Sequence, residues 1–363
     1  MTQEQICQRA LKRGGLGKDD CGMPIDMTIV YPPSVDYRFM HQRPQQIMKA
    51  FAMMGAQSIY INPANMYRQK QPIERPFADL PNFHVIRSDV PLAGMLKGRV
   101  ILWCAVHHAA FADSADFADL VAFDSVDLAE DEFSHWRQAV VEMEERADVI
   151  FATAQAIQED HASRGHEAIL LPNAADFDHF RWAQYRLGWR PDDLPFSGDK
   201  PIVGYYGAIG SWLDLEMLYA IADRYPVVMV GRNRLFDHPV RHSNITVLRM
   251  KSYDMLPIYL SWFDVTLIPF RLTKMVAGCD PIKFYEYLSA GKPVVTSQLL
   301  ELEGLSQLCY FAHRDNAAAQ VAQALSNNTA DLVRERQSFA QQNQWIHRAQ
   351  EALKIINERL SSG

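Results

Sequence analysis

Lys283 and Glu286 stand three residues apart in the segment CDPIKFYEYLSAGKPVV, residues 279–295, which otherwise reads as an amphipathic helix running into a buried strand. Asp280 is placed to cap that helix and Pro281 to occupy its first turn. Ile282, Phe284, Tyr285 and Leu288 supply a core face, and Gly291 suits the position just past the last turn. A spacing of three puts Lys283 and Glu286 on one face, near the helix start. A cation there opposes the macrodipole, which is tolerable if an anionic ligand lies between them. Glu286 can then accept hydrogen bonds from a diol further along. As a plain surface pair the two charges would contribute little. The chemistry on offer is recognition of a phosphate next to a ribose.

A second anion site is suggested where PIVGYY runs into GAIGSW. Gly207 and Gly210 permit a tight turn and close backbone approach, and Ser211 with Asp214 resembles a capping box at a helix start, where phosphate is favoured. The spacing is not G-x-G-x-x-G, so a dinucleotide fingerprint is absent. The strand PVVMVG ends at Gly231 and Arg232, an arginine that either faces a diphosphate or lies exposed in a loop. His238 and His242 in HPVRH have a helical metal-pair spacing, but Pro239 and the lack of a nearby Glu argue against zinc, and no metal site is expected. In the first half, polar residues gather after apolar runs. Arg38, His41 and Arg43 follow TIVYPP, His107 and His108 follow VILWCAV, and Asp124 and Asp127 follow LVAF. Each can cap or hydrogen-bond locally, and each is also placed to meet a substrate. Arg38, His41 and Arg43 are candidates for acceptor binding. Glu142, Glu144 and Glu145 read as a solvated helix face.

The elements that would position these residues alternate. From Met27, short apolar strands (TIVYPP, SIYINP, FHVIRS, VILWCAV, LVAFDS, VIFATA) are interleaved with helical patterns such as RPQQIMKAFAMMG and EDEFSHWRQAVVEMEERAD. Such alternation argues a parallel, doubly wound α/β sheet. It pauses over 181–199 and restarts at PIVGYYG. We expect residues 1–25 as a poorly ordered extension, a Rossmann-like domain over 26–180, a linker over 181–199, a second Rossmann-like domain over 200–337, and a helix over 338–363. In open α/β sheets ligands bind at strand carboxyl ends, so two facing domains would leave a cleft there.

Composition excludes several alternatives. With 48% hydrophobic and 22% charged residues in 363, the chain is globular and long enough for two cores. A net charge of −7 and no basic stripe argue against a nucleic-acid partner. Five cysteines without a C-x-x-C pair read as reduced thiols in a cytoplasmic protein. The opening residues are too polar for a secretory signal and the apolar runs too short to span a bilayer. Contact with a membrane is expected only at its periphery, on the cytoplasmic face.

DPIKFYEYLSAGKPVV resembles the nucleotide-binding segment of GT-B-fold glycosyltransferases close to family 4, and within it the bacterial capsule, teichuronic-acid and exopolysaccharide transferases. RFMHQRPQQIMKAFAMMG, LVAFDSVD, ADVIFATA, LLPNAADFDHF, VGYYGAIGSWLDLE, DMLPIYLSWFDVTLIPF and WIHRAQEAL extend the resemblance from about Met27 onward. It implies a GT-B fold with a last helix crossing back to the first domain. It implies a retaining, metal-independent transfer of a hexosyl group from a nucleoside-diphosphate sugar to a hydroxyl of a glycan or lipid-linked acceptor. No cofactor is implied beyond the donor, with UDP expected ahead of GDP. By position, Glu286 matches the ribose-holding glutamate, Asp280, Pro281 and Lys283 the segment facing the diphosphate, and Gly207, Ala208, Ile209 and Gly210 the loop beneath the donor phosphates. Tyr253 falls in the 251–256 stretch that holds the nucleobase. Asp124 and Asp127 match the loop facing the transferred sugar, with His107 and His108 beside it as further catalytic candidates. Two departures stand out. The first glutamate of the family's E-x7-E pair is replaced by Gly278, and residues 207–223 carry no Arg or Lys. They leave open a sugar-nucleotide epimerase of the same architecture, or a non-catalytic scaffold.

Overall fold

A computed structural model describes residues 26–64, 69, 71–186, 189–195, 200–235 and 240–362. The expected extension and His238 lie outside them. The chain divides into two compact units, residues 1–173 with 344–363, and residues 174–343. Both crossing points differ from expectation. At the first, helix Phe177–Phe180 and turn Arg181–Gln184 fold with the second unit, because Phe180 is fully buried against Tyr206 and Tyr253 there. At the second, the single helix expected over 338–363 is two. Helix Ala330–Gln342, capped by Thr329, stays in the second unit, the backbone leaves helical geometry at Asn343, and helix Trp345–Ser362 joins the first.

The first unit is an eight-stranded sheet. In chain order its strands are β1 (Met27–Tyr31), β2 (Gln57–Asn62), β3 (Ile73–Glu74), β4 (Phe83–Arg87), β5 (Arg99–Cys104), β6 (Leu120–Ser125), β7 (Val149–Ala152) and β8 (Ala168–Leu170). In space the order is β3-β4-β2-β1-β5-β6-β7-β8, parallel throughout except for β3. Central strands are buried on both faces, which is why they read as unbroken apolar runs. Helix Trp345–Ser362 lays Trp345, Ile346, Ala349, Leu353 and Ile356 inward and packs on helix Arg43–Met53. The long helix expected over EDEFSHWRQAVVEMEERAD is interrupted. A 3-10 turn, Asp131–Trp136, begins at Asp131 with φ 44°, and the α-helix proper is only Arg137–Glu144.

The second unit is a six-stranded, wholly parallel sheet of β9 (Val203–Tyr206), β10 (Val227–Val230), β11 (Ile245–Leu248), β12 (Val265–Ile268), β13 (Val294–Thr296) and β14 (Cys309–Phe311). Its order, β11-β10-β9-β12-β13-β14, reverses direction between β9 and β12. That is the doubly wound order with its topological switch point, where such sheets take ligands. Helix Ile282–Ser289 runs between β12 and β13. Gly291 ends it at φ 64°, and a side chain there would meet Val333 at 2.6 Å. Arg336, fully buried, donates to the Gly291 carbonyl at 3.2 Å and to Asn328 Oδ1 at 2.7 Å, locking that end in place.

Candidate active site

At the switch point of the second unit, β9 delivers Gly207 with φ 136°, a conformation that side chains rarely adopt. Gly231, at the end of β10, packs so tightly that a Cβ would lie 1.8 Å from the Gly207 carbonyl oxygen. The loop is then laced on both sides. Ile209 N–H donates to Arg232 O at 2.9 Å and Arg234 N–H to Ile209 O at 2.8 Å. On the other side Asp214 N–H donates to Pro269 O and Arg271 N–H to Trp212 O, both within 2.8 Å. Tyr205 Oη donates to Ala208 O at 2.7 Å. Among the described residues, the amides of Ala208 and Gly210 receive no acceptor, so the rigid turn presents free N–H groups. The expected capping box at Ser211 is not what starts the next helix. Helix Leu215–Ala222 is capped by Asp214, whose carboxylate accepts from Met217 N–H at 2.9 Å. An anion already fills that terminus, which leaves phosphate binding on this side to the turn.

Helix Ile282–Ser289 starts one residue later than expected. Pro281 is its N-cap, in extended geometry, and Asp280 faces inward instead, accepting from Tyr285 Oη at 3.0 and 3.2 Å. Ile282 and Lys283 are the first two residues of the helix, whose amides have no intrahelical acceptor. The Lys283 side chain reaches back over Gly207, its Cε 3.1 Å from where a Cβ on that glycine would stand. Its Nζ lies 4.9 Å from the Phe270 ring centroid and 5.5 Å from that of Tyr205. Among the described residues no carboxylate forms an ion pair with it. Burial pushes its pKa down, and Cys279 and Glu286 pull the other way. Glu286 is only 5% exposed. Burial pushes its pKa up to about 7, against the Tyr206 hydroxyl and Lys283, while Asp176 adds to the rise. The Tyr206 hydroxyl beside it is buried and bears on the carboxylate. One turn, one lysine and one glutamate thus converge, and their free bonding capacity points to a ligand that is anionic at one end and hydroxylic at the other.

The other donor-side candidates are placed as follows. Arg232 is exposed and meets the turn through its backbone carbonyl. Tyr253 stacks on His179, with centroids 4.3 Å apart and planes 7° from parallel. Its carbonyl accepts from His179 Nε2 at 3.1 Å. Lys251, in the same stretch, is held by Asp193. Gly278 ends the short helix Lys274–Ala277.

The first-unit candidates separate into occupied and free groups. Asp124, a catalytic candidate, and Arg43, an acceptor-binding candidate, are instead bound to each other. Both are buried, with Arg43 Nε 2.9 Å from both carboxylate oxygens and Trp103 Nε1 donating at 3.0 Å. Arg43 also donates to the Pro172 carbonyl and to Asn173 Oδ1. Neither is available to a substrate without leaving the other charge buried and alone. His108 is likewise a structural group. It is 2% exposed, its Nδ1 accepts from Ala105 N–H at 2.9 Å, and burial pushes its pKa down to about 3. Arg38 pairs with Glu74 at the surface. His41 is half-buried beside Tyr37. Glu144, expected to be solvated, is buried instead between His161 and Arg164, which donates at 2.7 to 3.0 Å.

Asp127 remains free. It lies just past β6, it has no side-chain partner among the described residues, and burial pushes its pKa up to about 7. The turn Val106–His108, carrying exposed His107, packs on β6. His107 meets Trp136 edge-on at 5.0 Å, and Phe133 stacks on the same ring at 4.2 Å and 10°. These rings make a half-exposed aromatic shelf on loops that follow adjacent strands.

No protein-family model matches the chain. TuaH of Bacillus subtilis (strain 168), assigned as a teichuronic acid biosynthesis glycosyltransferase, is 28% identical over 118 residues, which make up 30% of this chain and 30% of TuaH. Sucrose-phosphate synthase from Thermosynechococcus elongatus is similar in structure with a TM-score of 0.69, at 14% identity, over 93% of this chain and 100% of that one. The E. coli trehalose-6-phosphate protein bound with UDP-2-fluoro glucose gives 0.66, at 12% identity, over 92% and 99%. Anabaena Alr3699/HepE in complex with UDP-glucose gives 0.61, at 13% identity, over 91% and 99%. The chain has the GT-B fold. The resemblance to glycosyltransferases read from the sequence holds in both kinds of comparison.

In this GT-B chain three site groups had escaped sequence reasoning. Tyr206 looked like strand core, and nothing in VGYY separates its hydroxyl from its ring. Asp176 and His179 belong to DFDHF, which reads as the tail of the first domain until the fold places it beside Glu286 and Tyr253. The acidic and histidine residues crowded into that short stretch were the available signal.

Proposed function

We propose that this GT-B chain is a glycosyltransferase that moves a sugar from a UDP-sugar to a hydroxyl of a glycan or lipid-linked acceptor. We place it in bacterial surface polysaccharide synthesis, with retention at the anomeric carbon and no metal. The observation that carries the reading is the convergence of Gly207, Lys283 and Glu286 at the β9–β12 switch point. The UDP and UDP-glucose named for the Anabaena structures, and the teichuronic acid named for TuaH, support the choice of donor and pathway class.

Glu286 accepts from the two ribose hydroxyls. Lys283 and the amides of Ala208, Gly210 and Ile282 receive the diphosphate. As the bond from sugar C1 to the phosphate oxygen breaks, the electron pair leaves with UDP, and these preorganised groups stabilise the charge that develops. The acceptor oxygen bonds to C1 on the face UDP leaves, and its proton is taken up by the departing diphosphate oxygen on that same face. In the first unit Asp127, with a pKa near 7, is a carboxyl able to exchange protons at neutral pH. The Phe133–Trp136 shelf with His107 offers an acceptor sugar a flat apolar face and polar edges.

Incubation with UDP-glucose and an oligosaccharide acceptor mixture, read by NMR of the new anomeric centre, tests the reading. An α-linked glycan formed in step with UDP release, in the presence of EDTA, is the expected result. Conversion of the nucleotide sugar to an epimer without acceptor, or no binding of UDP at all, would overturn it.

A further inference from the structure

Among the described residues, the exposed Trp and Tyr side chains are Trp182, Tyr185 and Trp189, at 56%, 65% and 54% exposure. All three fall within one stretch of eight residues in the second unit. The remaining exposed apolar side chains, such as Ile73, Phe117 and Leu272, are scattered, as on any soluble protein. Arginines are interleaved with the three rings. Arg181 covers one face of Trp182 at 4.5 Å, and Arg186 and Arg190 flank the ring of Trp262 at 5.1 and 5.6 Å. Trp262 Nε1 in turn donates to the Trp189 carbonyl at 3.2 Å, and Arg190 donates to the Pro195 carbonyl at 2.8 Å, so the patch is held by its own contacts. Between 181 and 190 there is no acidic residue, in a chain whose net charge is −7. Asp178 and Asp264 reach Arg181 and Arg186 at 3.2 Å, but these are exposed pairs of the kind worth little, and a phosphate can replace them.

We propose that this patch seats the protein on an anionic phospholipid surface. Tryptophan and tyrosine have an apolar body and one polar group, which suits the headgroup level of a bilayer, where one end of the ring is dry and the other wet. Guanidinium groups beside them reach lipid phosphates with paired donors and shed water more readily than lysine. No helix among the described residues is long and apolar enough to cross a membrane, so attachment by a surface patch is the mode the described residues offer. A docked protein would prefer rings gathered into a pocketed core. Here they stand exposed, with Arg181 on Trp182 and Arg186 and Arg190 next in sequence to Tyr185 and Trp189, the arrangement of an interfacial anchor.

Co-sedimentation of the full chain with vesicles of phosphatidylcholine containing 30% phosphatidylglycerol, against vesicles of phosphatidylcholine alone, tests the proposal. The parent is expected to sediment with the anionic vesicles, at least fivefold more than with neutral ones. Salt at 0.5 M reverses this, whereas free glycerol phosphate at millimolar concentration does not compete. The double variant Trp182→Ala/Trp189→Ala is expected to lose at least fivefold of the binding and to keep the parent's affinity for UDP, which also reports that it is folded. Should the variant fail to fold, quenching of the parent's tryptophan emission by vesicles of brominated lipid gives the same answer. Equal sedimentation of parent and folded variant, no sedimentation of the parent, or emission untouched by brominated lipid overturns the proposal. Recovery of the patch in a protein complex without lipid overturns it as well. UDP binding and sugar transfer are read separately, so the patch and the catalytic reading fail independently.

Discussion

The two units treat buried charge in opposite ways. In the first, Arg43 and Asp124 satisfy each other, and Glu144 is enclosed by His161 and Arg164. In the second, Lys283 and Glu286 are close enough to feel one another and form no ion pair, and burial moves both pKa values toward neutrality. A charge removed from water without a partner is destabilising and persists only where a ligand or a reaction needs it. Asp127, half-buried in the first unit, also has its pKa raised by burial. The contrast separates charges with an ion-pair partner from charges without one within a single chain.

The largest expected effect is structural and lies in the first unit. Arg43→Ala leaves Asp124 buried without its cation and should destabilise that unit by about 3–5 kcal/mol. Urea unfolding followed by tryptophan fluorescence measures it, and a loss below about 1 kcal/mol would mean that water reaches the pair. In the second unit, Glu286→Ala should weaken UDP binding by about 2–4 kcal/mol, because two hydrogen bonds to a charged acceptor are lost together. Lys283→Met should cost somewhat less, about 1–3 kcal/mol, since the backbone amides remain. Isothermal titration measures both, and unchanged affinity in either variant removes that residue from the donor site. Smallest is Trp136→Ala. It should raise the acceptor KM several-fold, corresponding to about 1 kcal/mol, and leave UDP affinity as it was.

How legible was this contrast in the sequence? The alternation of strands and helices, and the resemblance carried by DPIKFYEYLSAGKPVV, led to two doubly wound units, and Lys283 and Glu286 stood out because a helix core has no use for them. Pairing was the part that could not be seen. Arg43 and Asp124 are 81 positions apart, and each looked like a free polar residue at a strand end until β1, β6 and helix Arg43–Met53 brought them together. Glu144 sat in an acidic run that looks solvated, and only the packing of helix Gln155–Ser163 encloses it. The unit boundary was misread because DFDHF is polar in sequence while Phe180 is the residue that fills the core. Local patterns give elements and motifs. Which charges neutralise each other is decided by contacts between distant segments.

The central claim is that Glu286 is held without an ion pair, with a pKa near 7, to receive hydroxyl groups of the donor. A group whose pKa is raised by folding favours the protonated state, so Glu286 weakens the fold as pH rises from about 4.5 to 7, and Glu286→Gln should be the more stable protein above that window. Binding has the opposite sign, because the two ribose hydroxyls donate and need the carboxylate. The most direct test is the UDP affinity of the parent divided by that of Glu286→Gln, titrated from pH 5.5 to 8.5, which cancels the titration of UDP. The account predicts a ratio that climbs up to tenfold per pH unit below about pH 7 and levels off above it. A ratio that stays flat across the range would contradict it.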